Sequence, residues 1–466
     1  MTAAGAAVEV LSPFDRARIG SVESTGTAGI ERALATAHAL FRDRRLWLPA
    51  SARHEILREA ARRMAEQAEP LAIEAAREGG KPLADSRIEV ARAIDGVTNC
   101  CELVRGEAGQ VVPMNLNAAS AGRIAFTQRE PIGVVVAVSA FNHPLNLIVH
   151  QVAPAIAAGC PVIVKPAEVT PLSCLRFVAI LHEAGLPGGW CQALLTESNE
   201  VTGRLVTDPR VGFFSFIGSA RVGWSLRSRL APGTRCALEH GGAAPVIVAA
   251  DADLAQAAAA LAKGGFYHAG QVCVSVQRVF AHASIVAELA ERLAERADGL
   301  RVGDPLLDET EVGPLIRPGE VTRVHSWVEE AVAGGGRLLC GGAAASATCY
   351  RPTVVLDPPP RSRLSTQEVF GPVVCVYRYE DLDDAIARAN ALPFAFQAAV
   401  FTRDYATAMR AYRGLDASAV MLNDHTAFRV DWMPFAGLRQ SGLGVGGIPY
   451  TFRDLQIDKL FVGPMS

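Results

Sequence analysis

The chain has 466 residues, of which 50% are hydrophobic and 20% are charged, and its formal net charge is -3. Domains mostly run to about 100–200 residues, so this length predicts a globular protein with at least two large domains. The near-neutral charge argues against nucleic-acid binding, which needs a basic face. No stretch approaches the ~20 apolar residues of a membrane span, so we expect no membrane partner.

The first 110 residues or so are predicted to be helical, because apolar residues recur there at helical spacing. A short strand follows near residues 123–128. Apolar runs then alternate with helical stretches, which predicts a parallel sheet with helical crossovers. The predicted strands of this first block are residues 132–138, 161–165, 211–216 and 236–238.

A second α/β block is expected from about residue 241. Parallel sheets bind ligands at the carboxyl ends of their strands, so the loops 139–144, 166–170 and 218–223 are candidate binding segments. The predicted elements of this block are strands 245–249, 351–356 and 371–379, helices 254–264 and 285–298, and a terminal strand at 456–462.

Three residues could carry chemistry, although each has a plain structural alternative. Cys273 follows a glycine-containing turn that could expose a thiolate, and its alternative is a small core residue. Glu239 follows an apolar strand and could take a proton from water, or it is a solvated loop carboxylate. Asn142 could donate to an oxyanion, or it caps a loop.

Other segments indicate a bound nucleotide. Lys165 and Glu168 follow a strand, where they could hold ribose hydroxyls or form a surface ion pair. The turn from Gly218 to Gly223 joins a strand to a helix and suits a pyrophosphate. A literal GxGxxG at residues 442–447 is rejected, because we expect neither a preceding strand nor a clear following helix. The sequence lacks HExxH and paired cysteines, so we expect no metal.

The segments together resemble the aldehyde dehydrogenase superfamily over nearly the whole chain, from Ser12 to the terminal strand. The matching runs include GVVVAVSAFNHPLN, PAIAAGCPVIVKPAEVTPLS, FFSFIGSARVG, LEHGG, AGQVC, EVFGPV and MPFAGLRQSGLG. The resemblance implies an α/β fold with a Rossmann-type cofactor domain, an α/β catalytic domain and a small β oligomerisation element. The implied ranges are 1–110 and 131–239 for the cofactor domain, 240–440 for the catalytic domain, and 111–130 with 441–466 for oligomerisation.

The resemblance also implies a role for each matching residue. Cys273 matches the nucleophile, Asn142 the side chain of the oxyanion hole, and Glu239 the general base. Lys165 and Glu168 would bind the adenosine ribose. Lys165 also matches a residue of the family's active site. The pyrophosphate turn is Gly218, Ser219 and Gly223, and the nicotinamide end is bounded by Glu368, Phe370 and Phe141.

Three positions depart from the family pattern. Phe141 stands where Trp is frequent, His240 where Leu is common, and His268 where Asn is common. We hypothesise that His240 and His268 lie near the reacting groups and shift their pKa values, since imidazole titrates near neutral pH. His143 is expected to be structural or to line a pocket.

The implied reaction is oxidation of an aldehyde to a carboxylic acid through a Cys273 thioester, which water activated by Glu239 hydrolyses. Glu168 favours NAD by repelling the 2′-phosphate of NADP, although NADP remains an alternative. The competing hypotheses are a CoA-acylating enzyme, an inactive scaffold on the same fold, and a cofactor-free thiol hydrolase. Glu239 argues against the first, and the intact set of site residues argues against the others.

The substrate is the least determined feature. The run from Asp424 to Pro434 resembles family members that act on small or semialdehyde-type substrates. Arg429 could pair with a substrate carboxylate or phosphate, or form a structural ion pair with Asp431. The resemblance also implies a homodimer or homotetramer built by sheet extension. The scattered cysteines, with no CxxC, and the lack of a secretory signal indicate a cytoplasmic protein.

Overall fold

The continuous apolar runs of the sequence form the central strands of two mostly parallel sheets. In the computed structural model, which describes residues 6–465, the strand Val134–Val138 is buried at every position. Valine-rich strands suit a sheet that is covered on both faces, because β-branched side chains pack well there. Residues 1–5 of the expected cofactor domain and Ser466 of the expected oligomerisation segment lie outside the described residues.

The strands in chain order are β1 (Ala7–Leu11), β2 (Arg18–Thr25), β3 (Arg123–Pro131), β4 (Val134–Val138), β5 (Val162–Lys165), β6 (Cys191–Ala193), β7 (Leu195–Thr196), β8 (Val211–Ile217), β9 (Arg235–Glu239), β10 (Ala244–Val248), β11 (Val276–His282), β12 (Arg337–Cys340), β13 (Thr353–Leu356), β14 (Val373–Tyr379), β15 (Phe394–Ala395), β16 (Gln397–Phe401), β17 (Ala419–Leu422), β18 (Leu438–Arg439), β19 (Gly442–Leu443) and β20 (Gln456–Pro464).

The α-helices are α1 (Thr27–Arg42), α2 (Ala50–Glu66), α3 (Ala68–Gly79), α4 (Leu83–Gly106), α5 (Asn146–Ala158), α6 (Leu172–Glu183), α7 (Asn199–Val206), α8 (Ala220–Arg227), α9 (Leu254–Phe266), α10 (Val286–Asp298), α11 (Pro318–Ala333), α12 (Arg363–Thr366), α13 (Leu382–Asn390), α14 (Tyr405–Gly414) and α15 (Ile448–Asp454). None of the helices within residues 6–465 is both long and apolar enough to cross a bilayer.

The first sheet has the strand order β19-β9-β8-β4-β5-β6, and all neighbours are parallel except β19. The second sheet has the order β12-β13-β14-β11-β10-β16-β17, with only β12 antiparallel. Helices cover both sheets, and the order in each reverses direction in the middle. Such a reversal opens a crevice at the carboxyl ends of the strands, where ligands bind.

The N-terminal region is not wholly helical, so that prediction was wrong in part. Strands β1 and β2 precede the first helix and pair antiparallel with each other, and β2 also pairs with β7. Their positions are mostly exposed or half-buried. Because backbone pairing rather than apolar burial stabilises them, the helical periodicity of the following residues concealed them.

The C-terminal segment contributes to two separate parts of the fold. Strand β20 pairs with β3 over nine residues, from Gln456↔Pro131 to Pro464↔Arg123. The preceding strand β19 joins the first sheet beside β9, and α15 packs against α4 and α5. Strands β3 and β20 therefore form a two-stranded ribbon that belongs to neither of the two large sheets.

Candidate active site

A cavity of about 470 Å³ opens between the two sheets. Its wall is formed by the loops that follow β4, β8 and β9, the segment before β11, and the loop around residue 429. Eight residues predicted from the sequence line it: Phe141, Asn142, Gly218, Ser219, Glu239, Cys273, Glu368 and Phe370.

Cys273 follows a backbone segment in the left-handed region. His268, Ala269 and Gly270 have φ values of 48°, 53° and 70°, which is costly for the two residues with side chains. At Gly270 a Cβ would overlap the carbonyl of Gly371, so only glycine fits. This tight turn brings Cys273 to the cavity wall immediately after α9.

The thiol of Cys273 is held in its protonated form at rest. Burial raises its pKa to about 12, and the charges of Glu239 and Glu368 act in the same direction. The guanidinium of Arg429 opposes them by favouring the thiolate. At rest Cys273 is thus a half-exposed thiol at the cavity wall, beside one cation that favours its thiolate.

Asn142 lies in the loop after β4 and is 5% exposed. Its Nδ2 donates a hydrogen bond of 2.9 Å to the carbonyl oxygen of Gln271, two residues before Cys273. This bond uses one of the two N–H groups of the amide, and the other is available to a ligand in the cavity. The side chain of Asn142 is therefore fixed beside the cysteine.

Glu239 is the last residue of β9, so its side chain leaves the end of the first sheet. Its carbonyl oxygen accepts a hydrogen bond of 3.0 Å from the backbone N–H of Gly218. Burial raises the pKa of the Glu239 carboxyl, while the charge of Arg429 lowers it. The carboxylate packs against Gly446, where a Cβ would overlap it.

The segment around Gly446 contains the GxGxxG that the sequence analysis rejected. A seven-residue helix, Ile448–Asp454, does follow it, so the expectation of no clear helix was wrong. A short strand, Gly442–Leu443, begins it, but this strand runs antiparallel to β9. The segment therefore lacks the parallel βαβ geometry of a dinucleotide fingerprint.

The side chain of Glu368 contacts residues 241 and 242, which follow the last residue of β9. A Cβ at Gly241 would overlap its Oε1, and the backbone N–H of Gly242 donates to the carboxylate. Burial raises the pKa of Glu368 to about 7. Its Oε1 is buried and has no hydrogen-bond partner among residues 6–465, so the carboxylate has a free accepting position.

The aromatic side chains predicted beside Glu368 are in contact with each other. Phe370, with φ of 46°, and Phe141 lie edge to face, with ring centroids 5.8 Å apart and planes at 81°. Edge-to-face contact is a favoured geometry for aromatic pairs. The two rings form one wall of the cavity.

Three of the predicted residues do not line this cavity. Lys165 ends β5, and its Nζ donates to the Pro166 carbonyl at 3.2 Å and lies 4.0 Å from Glu168 Oε1. Both residues lie at the carboxyl end of β5, which is directly beside β4 in the sheet. Gly223 lies inside α8, where a Cβ would overlap the ring of His240. Lys165 and Glu168 form a separate polar group at the end of β5, next to the cavity-lining loop after β4.

Burial makes the two unusual histidines neutral. His240 is 2% exposed and His268 is fully buried, and burial lowers the pKa of both. His240 Nδ1 donates to the carbonyl of Gly218 at 2.8 Å and ties the end of β9 to that turn. His240 does line the cavity, and an effect of the two histidines on the pKa values of the reacting groups stays a prediction. His143 lines the cavity, and burial lowers its pKa too.

The partner of Asp431 is not Arg429. The guanidinium of Arg92 donates two hydrogen bonds to Asp431, of 3.0 and 2.7 Å, and His150 Nε2 lies 2.6 Å from the same carboxylate. Arg429 is half-buried, lies over the ring of Phe435 at 3.6 Å from its centroid, and lines the cavity. It has no carboxylate within 4.0 Å in the part of the chain that the structure describes.

The sequence analysis missed Arg92 and His150. Arg92 lies on α4, among residues with helical spacing, and His150 lies inside the apolar helix α5. Asp431 is 339 residues from Arg92 in the chain. No local sequence pattern predicts such a contact. The one available signal is that arginine and histidine are uncommon on buried helix faces.

Comparison with known proteins agrees with this geometry. Residues 1–459 match the aldehyde dehydrogenase family. A 3-sulfolactaldehyde dehydrogenase of Priestia aryabhattai is 38% identical over 410 residues, which is 88% of this chain and 86% of that protein. The crystal structure of aldehyde dehydrogenase 21 from Physcomitrella patens, in complex with the product succinate, has a TM-score of 0.95 and 33% identity, covering 100% of this chain and 96% of that one.

A third relative contains a cofactor. Glyceraldehyde-3-phosphate dehydrogenase GapN of Methanocaldococcus jannaschii, crystallised with NADP, has a TM-score of 0.92 and 33% identity, covering 98% of this chain and 99% of that chain. The chain thus belongs to the aldehyde dehydrogenase family. It is an oxidoreductase that oxidises an aldehyde with NAD(P), and the fold predicted from the sequence is confirmed.

Proposed function

We propose that this enzyme oxidises a small aldehyde carrying an acidic group to the corresponding acid, with Cys273 as nucleophile and Glu239 as general base. The observation that carries the substrate assignment is Arg429, a half-buried guanidinium that lines the cavity and has no carboxylate within 4.0 Å among residues 6–465. An unpaired buried charge is costly, and a substrate carboxylate, sulfonate or phosphate would remove that cost.

The cysteine acts first. The thiol releases its proton to solvent, Arg429 stabilises the resulting thiolate, and Sγ attacks the aldehyde carbon. The oxyanion that forms is held by the free N–H of Asn142 Nδ2 and by the backbone N–H of Cys273. Loss of hydride from this adduct leaves a thioester on Cys273.

The thioester is then hydrolysed. Glu239 takes a proton from water, and the hydroxide attacks the thioester carbon and releases the acid and the Cys273 thiolate. The raised pKa of the Glu239 carboxyl suits a base, because it increases the affinity for the proton taken. A CoA-acylating enzyme would have no use for this carboxylate, so we favour water as the acceptor of the acyl group.

The residues present fit a dinucleotide. The N-cap Ser219 makes no side-chain hydrogen bond to α8, so the first amides of that helix are free for a pyrophosphate. A ribose hydroxyl would satisfy the buried Oε1 of Glu368. When bound, the nicotinamide supplies the hydride acceptor. We propose that Lys165 and Glu168 hold the adenosine ribose and that Glu168 favours NAD over NADP by charge repulsion.

We propose a cytoplasmic homodimer or homotetramer. The ribbon of β3 and β20 exposes Phe126, Leu460 and Phe461 at 41%, 54% and 53%. The two phenyl rings stack 5.1 Å apart on one face. Apolar side chains on an extended ribbon favour burial against a second copy of the chain.

The test is NADH or NADPH formation by the purified enzyme. We expect turnover without CoA, higher kcat/KM for acidic aldehydes than for neutral ones of equal length, and no turnover by C273A. Stimulation by CoA would favour the acylating alternative. Silence with every aldehyde tested, together with an unreactive Cys273, would contradict the proposal in favour of an inactive scaffold.

A further inference from the structure

Four side chains form one continuous chain of contacts beside the cavity. Arg429 Nη2 lies 3.3 Å from His150 Nδ1, and His150 Nε2 lies 2.6 Å from Asp431 Oδ1. Asp431 in turn accepts two hydrogen bonds from Arg92. The outer members of this chain, Arg92 and Arg429, both line the cavity. The inner two members, His150 and Asp431, are 4% and 1% exposed.

The contacts fix the tautomer of His150. Guanidinium groups only donate and an ionised carboxylate only accepts, so Nδ1 must present its lone pair to Arg429 while Nε2–H donates to Asp431. Burial and the charge of Arg429 lower the pKa of His150 to about 4, in spite of Asp431. A neutral imidazole is the form that can serve both neighbours, since a protonated ring would repel the guanidinium.

His150 is also the link that restrains Arg429. The guanidinium has no carboxylate partner within 4.0 Å among residues 6–465, and its Nε has no hydrogen-bond partner there. The face of Phe435 restrains the plane of the group but not its rotation in that plane. The Nδ1 atom of His150 therefore determines which N–H groups of Arg429 point toward the cavity.

The chain of contacts leaves one positive charge uncompensated. Asp431 neutralises one of the two arginines, and neutral His150 contributes none. Asp431 pairs directly with Arg92, so the excess charge of this chain of contacts belongs to Arg429, which the more distant Glu239 carboxylate offsets only in its ionised form. A monoanionic group on a ligand would restore charge balance at this end of the cavity.

We propose that His150 is a positioning residue for substrate recognition: through Nδ1 it orients the Arg429 guanidinium toward the acidic group of the substrate. This inference rests on the acidic-aldehyde substrate of the proposed function. It adds a residue that touches neither the reacting atoms nor the substrate, and it assigns Asp431 the task of holding the imidazole in the required tautomer.

The test uses two variants, each of which keeps the hydrogen-bonding function of one of the two imidazole nitrogens. The side chain of H150N can place an acceptor near the position of Nδ1, and H150Q can place a donor near the position of Nε2. A third variant, H150L, keeps neither. The probe is succinate, and its dissociation constant is measured by calorimetry on the purified full chain. H182Q is the matched control, since His182 lies on α6, is not part of the cavity wall, and has its side-chain hydrogen bond with the Cys191 carbonyl of β6.

We expect H150N to bind succinate within about threefold of wild type and H150Q and H150L to bind at least about tenfold more weakly, the loss expected for one charged hydrogen bond. The ratio of kcat/KM for succinic semialdehyde to that for butanal should fall by the same factor. H182Q should match wild type in both. If H150L fails to fold, the comparison of H150N with H150Q decides.

Two results would overturn the inference: succinate binding by H150Q and H150L equal to wild type, or equal losses in H150N and H150Q, which would mean a merely structural role. If the wild-type enzyme oxidises butanal but does not bind succinate, both the acidic substrate and this inference are overturned. If the expected binding pattern appears without NADH formation from any aldehyde, the proposed function fails and the role of His150 stands.

Discussion

The side-chain amide of Asn142 donates a 2.9 Å hydrogen bond to the carbonyl of Gln271, two residues before Cys273. The loop after β4 in the first sheet is thereby attached to the segment before β11 in the second. This bond holds the amide in place before any substrate arrives. Preorganised donors are effective because they need no rearrangement during the reaction.

The first prediction concerns this amide. N142A should lower kcat by about 10²–10³, because one donor to the oxyanion is lost. Stopped-flow absorbance at the NADH band should show a slower burst, since the step before the thioester is affected. Unchanged burst kinetics would mean that Asn142 supports the loop and does not contact the oxyanion.

A second prediction separates the base from the nucleophile. E239Q should retain a burst of NADH close to one per active site while the steady-state rate falls by about 10²-fold or more. Glutamine keeps the size of the side chain but cannot take a proton from water. A parallel loss of burst and steady state would place Glu239 in the first half of the reaction instead.

The third prediction follows from the raised pKa of the Cys273 thiol. The pKa of Cys273 is raised to about 12, so its thiolate fraction increases about tenfold per pH unit throughout the accessible range. Alkylation by iodoacetamide, followed by intact mass in the absence of cofactor, should accelerate steadily from pH 6 to pH 9. A plateau below pH 8 would show that the thiol ionises far more readily than its buried position predicts.

Glu368 gives a fourth prediction, about stability. Burial raises its folded-state pKa to about 7, above its unfolded value, so the folded protein holds a proton that the unfolded chain releases. Its contribution is fully present at low pH and is lost as the pH rises toward 7, by at most about 1.4 kcal/mol per pH unit. E368Q mimics the protonated form. Its Tm should fall less than that of wild type between pH 5 and pH 7, as measured by scanning calorimetry.

The fifth prediction tests Gly241. G241A should weaken NAD binding and lower Tm, because the new Cβ overlaps Glu368 Oε1 and the overlap costs about 1–3 kcal/mol. G319A is the matched control, since a Cβ at Gly319 meets no atom within 4 Å at the start of α11. Fluorescence titration with NAD measures the first effect. Equal behaviour of the two variants would mean that Glu368 moves away without consequence.

The sequence predicted the strands that are buried on both faces, because continuous β-branched runs such as Val134–Val138 carry their own signal. It placed Asn142, Glu239 and Glu368 at strand ends or turns, and the structure brings them to one cavity. The half-exposed strands β1 and β2 were missed, because pairing stabilises them rather than burial. Arg92 and His150 were missed for another reason: their partner lies in a distant loop, and only the folded chain brings them together.

Four residues connect the end of β9 at Glu239 to the start of β10 at Ala244. The chain therefore passes from the first sheet to the second directly after Glu239, and the connection is too short to absorb an extra residue. One residue inserted into this connector would displace the carboxylate of Glu239 relative to Cys273 and abolish catalysis. The exposed residues 343–347, in the loop that joins two strands of a single sheet, should accept the same insertion without harm.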